Sequence, residues 1–417
     1  QKESEVKNAT LLIMPTSLVY NWQTEAKKFT PDLKVLVYTG SKRDKNVAKF
    51  QKYDVVITSY GTARVDVELL KEYYFNYIIL DESQTIKNPT SGINKAVKKL
   101  KSAFKLILTG TPVENSTMDL WSQMSFINDG LLGSQKFFKD NFLLPIEKKG
   151  DENKMHKLHS IIKPFILRRQ KSQVLTELPE KVEQVMYCEM TKDQHKEYDT
   201  VKSYFRNKIL EQIDNDGFGK SKMTLLQGLT KLRQIANHPK LAEDTYKSDS
   251  GKFDDVLRLL ESAMAEGHKI LIFSQFVKHL ALFREYLDEE SVDYAYLDGA
   301  TRSRQSQVEF FQNNEDVQLF LISLKAGGLG LNLTEADYVF ILDPWWNPAI
   351  EAQAVDRAHR MGQKNTVHTY KFITKDTVEE KILRLQQRKK KLADNLISTE
   401  DSFVKSLSQE DIQEILA

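Results

Sequence analysis

Two groups of side chains, far apart in the chain, have the types and spacings to work on a phosphorylated ligand. Asp81 and Glu82 directly follow the apolar run Tyr77-Ile-Ile-Leu80, with Gln84 two positions on. Paired carboxylates at the C-terminal end of a buried parallel strand lie where α/β sheets hold ligands, so one can hold a metal ion while the other faces a water. In isolation, an Asp-Glu pair is more often a solvated turn. Near the other end of the chain, Gln353, Arg357 and Arg360 recur at offsets of four and three, which on a helix puts them on one face. Two guanidiniums with no acidic residue spaced to neutralise both suit a polyanion, although an isolated R-x-x-R is ordinarily a solvated helix face. Two loops could serve the same ligand. Thr109-Gly110-Thr111 ends the run Leu106–Leu108, offering hydroxyls to a neighbouring loop and a glycine that permits close backbone approach. Gly327-Gly328-Leu-Gly330 follows the run Leu319–Ile322 and frees backbone N–H groups for phosphate or a facing loop.

Such residues need a scaffold that delivers them on strand ends, and the apolar pattern supplies one. Leu11–Met14, Lys34–Tyr38, Val55–Thr58, Tyr77–Leu80 and Leu106–Thr109 are short runs, each followed by a turn and a helix-like stretch. Continuous Val/Ile/Leu runs point to strands buried on both faces of a parallel sheet. The pattern returns at Ile270–Phe273, Tyr294–Leu297, Leu319–Ile322, Val339–Leu342 and Tyr370–Ile373. The fold class is therefore α/β, with two parallel-sheet lobes carrying helical insertions. The expected divisions are a first lobe at 1–112 and its insertion, returning to the sheet, at 113–172. A linker and second insertion follow at 173–249, then the second lobe at 250–375 and a helical brace and tail at 376–417. Helical spacing at Leu120, Met124, Ile127 and at Leu225, Leu229, Leu232 supports the insertions.

Composition narrows the class further. The chain has 417 residues, 41% of them hydrophobic, enough for two or three cored domains. Its 60 basic and 58 acidic residues leave a net charge of +2, so nucleic-acid binding must come from local patches. One cysteine, Cys188, excludes an internal disulfide and a thiolate zinc site, and fits a reducing cytoplasmic or nuclear compartment. The longest apolar runs are far shorter than a membrane span.

Asp81–Gln84 with Thr85–Asn88, Leu108–Pro112, Ser323–Asn332, Asp343-Pro-Trp-Trp-Asn-Pro348 and Gln353–Gln363 together resemble the motifs of the Swi2/Snf2 family of DNA-dependent ATPases. The resemblance covers nearly the whole chain, and it implies two RecA-like lobes within the helicase-like superfamily 2. By resemblance, Asp81 organises Mg2+ on ATP, Glu82 positions or deprotonates the attacking water, and Gln84 links the γ-phosphate region to neighbouring motifs. Many members carry His where this chain has Gln84, which points to a bacterial-type branch. Thr109, Gly110, Thr111, Gly328, Gly330 and Gln353 become nucleotide-side residues. Arg357 and Arg360 become fingers delivered from the second lobe to a nucleotide held by the first, so that hydrolysis is tied to lobe motion. Double-stranded DNA is the implied partner, contacted by Thr16, Ser17, Ser59 and Tyr60 in the first lobe. In the second lobe the contacts fall to Thr301, Arg302, Ser323, Lys325, Trp346 and Asn347. Small hydroxyl residues after strands, with the first N–H groups of the next helix, suit phosphate oxygens. For Trp22, core packing is the favoured role, and for Lys389–Lys391 a solvated helix end.

No G-x-x-x-x-G-K-[ST] phosphate loop occurs in the chain. Gly217-Phe-Gly219-Lys220-Ser221 lacks the first glycine and reads as a loop between helices. In the family that loop precedes the strand opening at Ala9, so the chain is expected to start just downstream of it. The first sheet is then expected to carry a central gap with exposed apolar surface. Residues 1–417 alone are expected to hydrolyse ATP poorly or not at all. The implied function is an ATP-driven translocase on duplex DNA that remodels protein–DNA complexes. The competing readings are a strand-separating helicase and a non-catalytic DNA-binding or interaction fragment.

Overall fold

The computed structural model describes residues 8–109, 117–167, 177–216, 218–324, 331–345 and 348–384. The chain divides into two units, Gln1–Arg168 and Arg169–Ala417, and each carries its own parallel sheet.

In the first unit the strands are β1 (Thr10–Met14), β2 (Val35–Val37), β3 (Val55–Ser59), β4 (Tyr74–Leu80) and β5 (Lys101–Ile107). They run in the order β2-β3-β1-β4-β5 with every neighbouring pair parallel. β1 is central and fully buried, which is why its sequence is an unbroken apolar run. Leu11, Ile13, Val56, Phe75, Ile78 and Leu80 pack with Phe50 and Tyr60 on one side of the sheet.

Among the described residues the first sheet shows no central gap. β1 bonds β3 on one side and β4 on the other, in continuous register. The exposed apolar surface lies instead at the β5 edge. There Tyr77 stacks on Phe104 across the β4–β5 pair, with ring centroids 4.8 Å apart, and Leu106 is 45% exposed. The helices of interest here are α1 (Val19–Phe29), α2 (Tyr60–Val65) and α3 (Thr117–Ile127). α3 places Leu120, Trp121 and Met124 in a separate core with Phe138, Phe142, Leu158 and Ile162, which forms the insertion.

The second unit holds β6 (Lys181–Cys188), β7 (Ile270–Ser274), β8 (Tyr294–Leu297), β9 (Leu319–Ser323), β10 (Tyr338–Ile341) and β11 (Val367–Thr374), in the order β6-β11-β10-β7-β9-β8. Alternate residues of β7 and β9 feed opposite cores, Leu271 and Phe273 one side, Ile270 and Ile272 the other, and all are fully buried. β6 lies within the span expected to be linker and helical insertion. It is an edge strand pairing only β11, with most of its residues exposed. Two long helices, α4 (Lys192–Asp216) and α5 (Phe218–Asn237), pack through Tyr198, Ile209, Leu225, Leu229 and Leu232. Residues 218–221, expected in a loop, lie in the first turn of α5. α6 (Gly251–Ala265) and α7 (Val277–Glu289) cover one face of the sheet. α8 (Pro348–Val355) follows β10, with Ala354 and Val355 in the core of the other face. Among the described residues, no helix is long and apolar enough to cross a membrane.

Candidate nucleotide and nucleic-acid site

β4 ends at Leu80, and the backbone N–H of Asp81 still donates to the Ile13 carbonyl at 2.8 Å, so the acidic pair starts on the rim of the sheet. Glu82 then adopts φ +49°, the left-handed region, before a short 3-10 turn over Ser83–Ile86. A non-glycine residue there is strained, and such strain persists where the surroundings over-determine it. The restraints are visible. Ser83 N–H donates to the Leu108 carbonyl at 3.1 Å, and Leu108 N–H to Leu80 at 2.8 Å, locking the turn to the exit of β5.

The two carboxylates are held from opposite sides. Asp81 Oδ1 accepts from Glu82 N–H at 2.9 Å, and Oδ2 accepts from the Trp22 indole N–H at 2.7 Å. The Asp81 carbonyl takes a further hydrogen bond from the Tyr60 hydroxyl at 2.8 Å. Glu82 Oε2 accepts from the Gln84 amide at 2.7 Å, and Gln84 Oε1 accepts from the Thr109 hydroxyl at 3.3 Å. Thus Asp81, Glu82, Gln84 and Thr109 form one chain of contacts across the ends of β4 and β5. Gly110 and Thr111 lie outside the described residues.

The expected DNA-contact residues of the first unit fall on neighbouring strand ends, but in different roles. Thr16 is exposed, and Ser17 has a buried hydroxyl with no hydrogen-bond partner among the described residues. Ser59 is buried and caps α2, accepting from Thr62 N–H at 3.1 Å. Tyr60 is only 4% exposed, so its ring belongs to the core and its hydroxyl to Asp81. Burial beside the Asp81 and Glu82 charges pushes its ionisation up, so it stays a donor. Trp22, favoured for core packing, is half-buried and bonded to Asp81. Between these segments runs an open groove of about 480 Å³ lined by Thr16, Val19, Tyr20, Ser59, Thr62 and Arg43. Arg43 was not legible in the sequence. It is fixed by two hydrogen bonds to Asp66, at 2.5 and 2.7 Å, which hold that carboxyl below its ordinary range.

In the second unit, Asp343 is fully buried at the end of β10 and accepts from Ser274 and from Gln275 N–H. Burial pushes its carboxyl up to about 6, against the pull of Arg233. Arg233 bonds the Pro344 carbonyl at 2.6 Å, and Glu351 takes Trp345 N–H at 2.6 Å, fixing the chain into α8.

The three-residue pattern of Gln353, Arg357 and Arg360 does not sit on one helix. α8 ends at Val355, and the N–H groups of Arg357 and Ala358 bond three residues back, to Ala354 and Val355, tightening the chain into a turn. Gln363 then donates to Ala336 and Ala358, and Gly362 at φ +103° makes the reversal possible. Gln353 is half-buried. Arg357 is buried within its unit, while Arg360 is half-exposed with Nε donating to the Asp356 carbonyl at 3.1 Å. Thr301 is engaged with Asp298, its hydroxyl and N–H both 2.9 Å from Oδ1, whereas Arg302 is exposed. Ser323 is buried at the end of β9. Gly328, Gly330, Lys325, Trp346 and Asn347 lie outside the described residues.

A pair of parallel α/β sheets, one ending in a carboxylate–amide–hydroxyl chain and the other in an arginine-bearing turn, defines a helicase-like core of two RecA-like lobes. The sequence matches the SNF2-related domain over residues 1–241 and the helicase conserved C-terminal domain over residues 251–362. The chain belongs to the SNF2 family. It is 38% identical over 98% of its length to a protein of Mycoplasma pneumoniae described as an uncharacterized ATP-dependent helicase, covering 39% of that protein. It is 34% identical over 95% of its length to the TATA-binding protein-associated factor MOT1 of Saccharomyces cerevisiae, covering 24% of it. The chain thus spans about two fifths or less of these curated relatives. Among solved structures it is similar to the Sulfolobus solfataricus SWI2/SNF2 ATPase core in complex with dsDNA. There the identity is 39%, covering 99% of this chain and 87% of that one, with a TM-score of 0.50.

Proposed function

We propose that this chain is the motor core of an ATP-dependent translocase on double-stranded DNA that acts on protein–DNA complexes. The observation that carries the reading is the contact chain Asp81, Glu82, Gln84 and Thr109, which gathers two carboxylates, an amide and a hydroxyl at the ends of β4 and β5. Each Asp81 carboxylate oxygen accepts one hydrogen bond and keeps lone-pair capacity, and hard oxygen donors of this kind fit Mg2+. Asp81 would hold the ion, which when bound neutralises charge on the triphosphate. Glu82 takes the proton of the attacking water, and Gln84 holds Glu82 in the orientation needed to do so. By family resemblance Arg357 and Arg360 would serve the triphosphate as arginine fingers, Arg360 being the more exposed of the two.

Duplex DNA lies along phosphate-contacting segments at Thr16–Ser17 and around Ser59 in the first lobe and Arg302 in the second. Contacts of this type bind without sequence preference. The deciding experiment uses the protein at its natural length. ATP hydrolysis should rise with duplex DNA, and Glu82→Gln should abolish hydrolysis while ATP still binds. Displacement of a third strand without opening of a forked duplex supports translocation, and unwinding of the fork would favour a strand-separating helicase instead. Hydrolysis that ignores DNA would overturn the proposal.

A further inference from the structure

Two segments of the first lobe that leave the sheet beside the groove each end on the same residue. The first starts at the end of β1, passes through a 3-10 turn at Thr16–Leu18 and opens α1, whose first turn carries Trp22. The second starts at the end of β3, where Ser59 caps α2 and Tyr60 is its first residue. β1 lies between β3 and β4, with Met14 opposite Ser59 and Ile13 opposite Leu80, so these exits and Asp81 share one rim. From the first exit, the Trp22 indole N–H reaches Asp81 Oδ2 at 2.7 Å. From the second, the Tyr60 hydroxyl reaches the Asp81 carbonyl at 2.8 Å. The sequence separations are 59 and 21 residues, so neither contact is a local accident of the turn.

We propose that Trp22 and Tyr60 are positioning residues through which a polyanion gripped in the groove sets the orientation of Asp81. This inference rests on the reading of the chain as a DNA-dependent ATPase and adds the route by which DNA speeds hydrolysis. The groove runs between these segments, lined by Thr16, Val19 and Tyr20 from one side and by Ser59 and Thr62 from the other. A phosphate backbone seated there lies against both segments, with the exposed Thr16 on the groove wall. Hydrogen bonds weaken steeply with length and angle, so a small shift of either helix alters how firmly Asp81 is held. The sheet and Glu82 N–H hold part of Asp81, while Oδ2 and the carbonyl are set by the two helices. Trp22 and Tyr60 touch no reacting atom; they act through Asp81.

The test measures hydrolysis by the natural-length protein with and without saturating duplex DNA, and DNA affinity separately. Trp22→Phe keeps the ring and removes the N–H, and Tyr60→Phe removes only the hydroxyl. Trp22→Phe should lower the ratio of DNA-stimulated to DNA-free kcat on the order of tenfold, the scale of one charge-assisted contact, and Tyr60→Phe, which loses a neutral bond to a carbonyl, roughly threefold, with DNA Kd within about twofold for both. Trp22→His, which restores a ring N–H, should recover part of the ratio. A merely structural role would lower thermal stability without moving that ratio. If the wild-type protein is stimulated and both Phe variants are stimulated equally, the relay is wrong and the ATPase reading stands. If the wild-type protein is not stimulated by DNA at all, the underlying reading itself fails.

Discussion

Glu82 and Gln84 show how much of the chemistry is set by one hydrogen bond. Glu82 sits in a left-handed backbone conformation, and its carboxylate is steadied by the Gln84 amide, which in turn takes the Thr109 hydroxyl. Gln84→Ala should therefore lower kcat at saturating DNA by about tenfold or more, with ATP affinity nearly unchanged, because it disorders the proposed base rather than a binding contact. Thr109→Val should cost less. The double substitution should cost less than the sum, since both act on one carboxylate. Steady-state hydrolysis of the three variants checks this. The types and order of these residues were readable from the sequence, because they follow an apolar run that could only be a buried strand. The partnership with Trp22 was not readable, since nothing local links positions 22 and 81. The shared helix face for Gln353, Arg357 and Arg360 failed for a different reason. Periodicity assumes an unbroken helix, whereas the buried Ala358 and the reversal at Gly362 tighten the chain after Val355.

At the scale of elements, packing explains why Gly251 and Lys252 stand at the start of α6. A Cβ on Gly251 would lie 1.9 Å from the Glu189 carbonyl oxygen, so only glycine lets β6's exit pass so close. Lys252 is fully buried, paired with Glu379 at 2.5 Å and bonded to Asn237 and the Leu342 carbonyl. It thereby ties α6, α5, β10 and the segment after β11 together. Lys252→Met leaves Glu379 buried without its cation and should destabilise the second unit by about 3–5 kcal/mol. Adding Glu379→Gln should return part of that loss, and chemical denaturation of the single and double variants measures the coupling. Gly251→Ala should be destabilising through direct backbone overlap, whatever it does to nucleotide binding. The ten strands expected from apolar runs are all present, the edge strands β2, β5 and β8 among them, because each contains a run of aliphatic or aromatic residues. β6 escaped notice because charged and polar residues break up its apolar pattern and most of it is exposed. Its Lys181, Glu183 and Gln184 lie on a largely exposed surface and carry no strand signature.

At the scale of the whole molecule, the near-neutral charge of +2 conceals a cluster of buried titratable groups in the second unit, which gives its stability a pH dependence. Burial holds His238 down to about 4, and its ring also accepts from Lys240 N–H at 3.1 Å, a bond that requires the neutral form. His279 is fully enclosed and pushed well below its ordinary value, first by burial and then by Lys252 and His238. Both histidines have folded values below the unfolded one, so the unfolded chain binds more protons once the pH drops below the ordinary histidine range, and stability falls with acid. Asp343 works the other way. Its folded value near 6 lies above the unfolded carboxylate, so between those values the folded state binds the extra proton and gains from acid. Set against Asp343 alone, the two histidines leave roughly one proton taken up on unfolding, and Asp254, also raised by burial, trims that further. The second unit should therefore lose up to about 1.4 kcal/mol per pH unit between pH 6 and 5. His238→Asn keeps a side-chain acceptor for Lys240 N–H but cannot take up a proton, so it should bring that slope close to zero. Denaturation midpoints at pH 7, 6 and 5 for the two proteins decide the matter: equal slopes would mean that His238 is not the residue that charges when the unit opens.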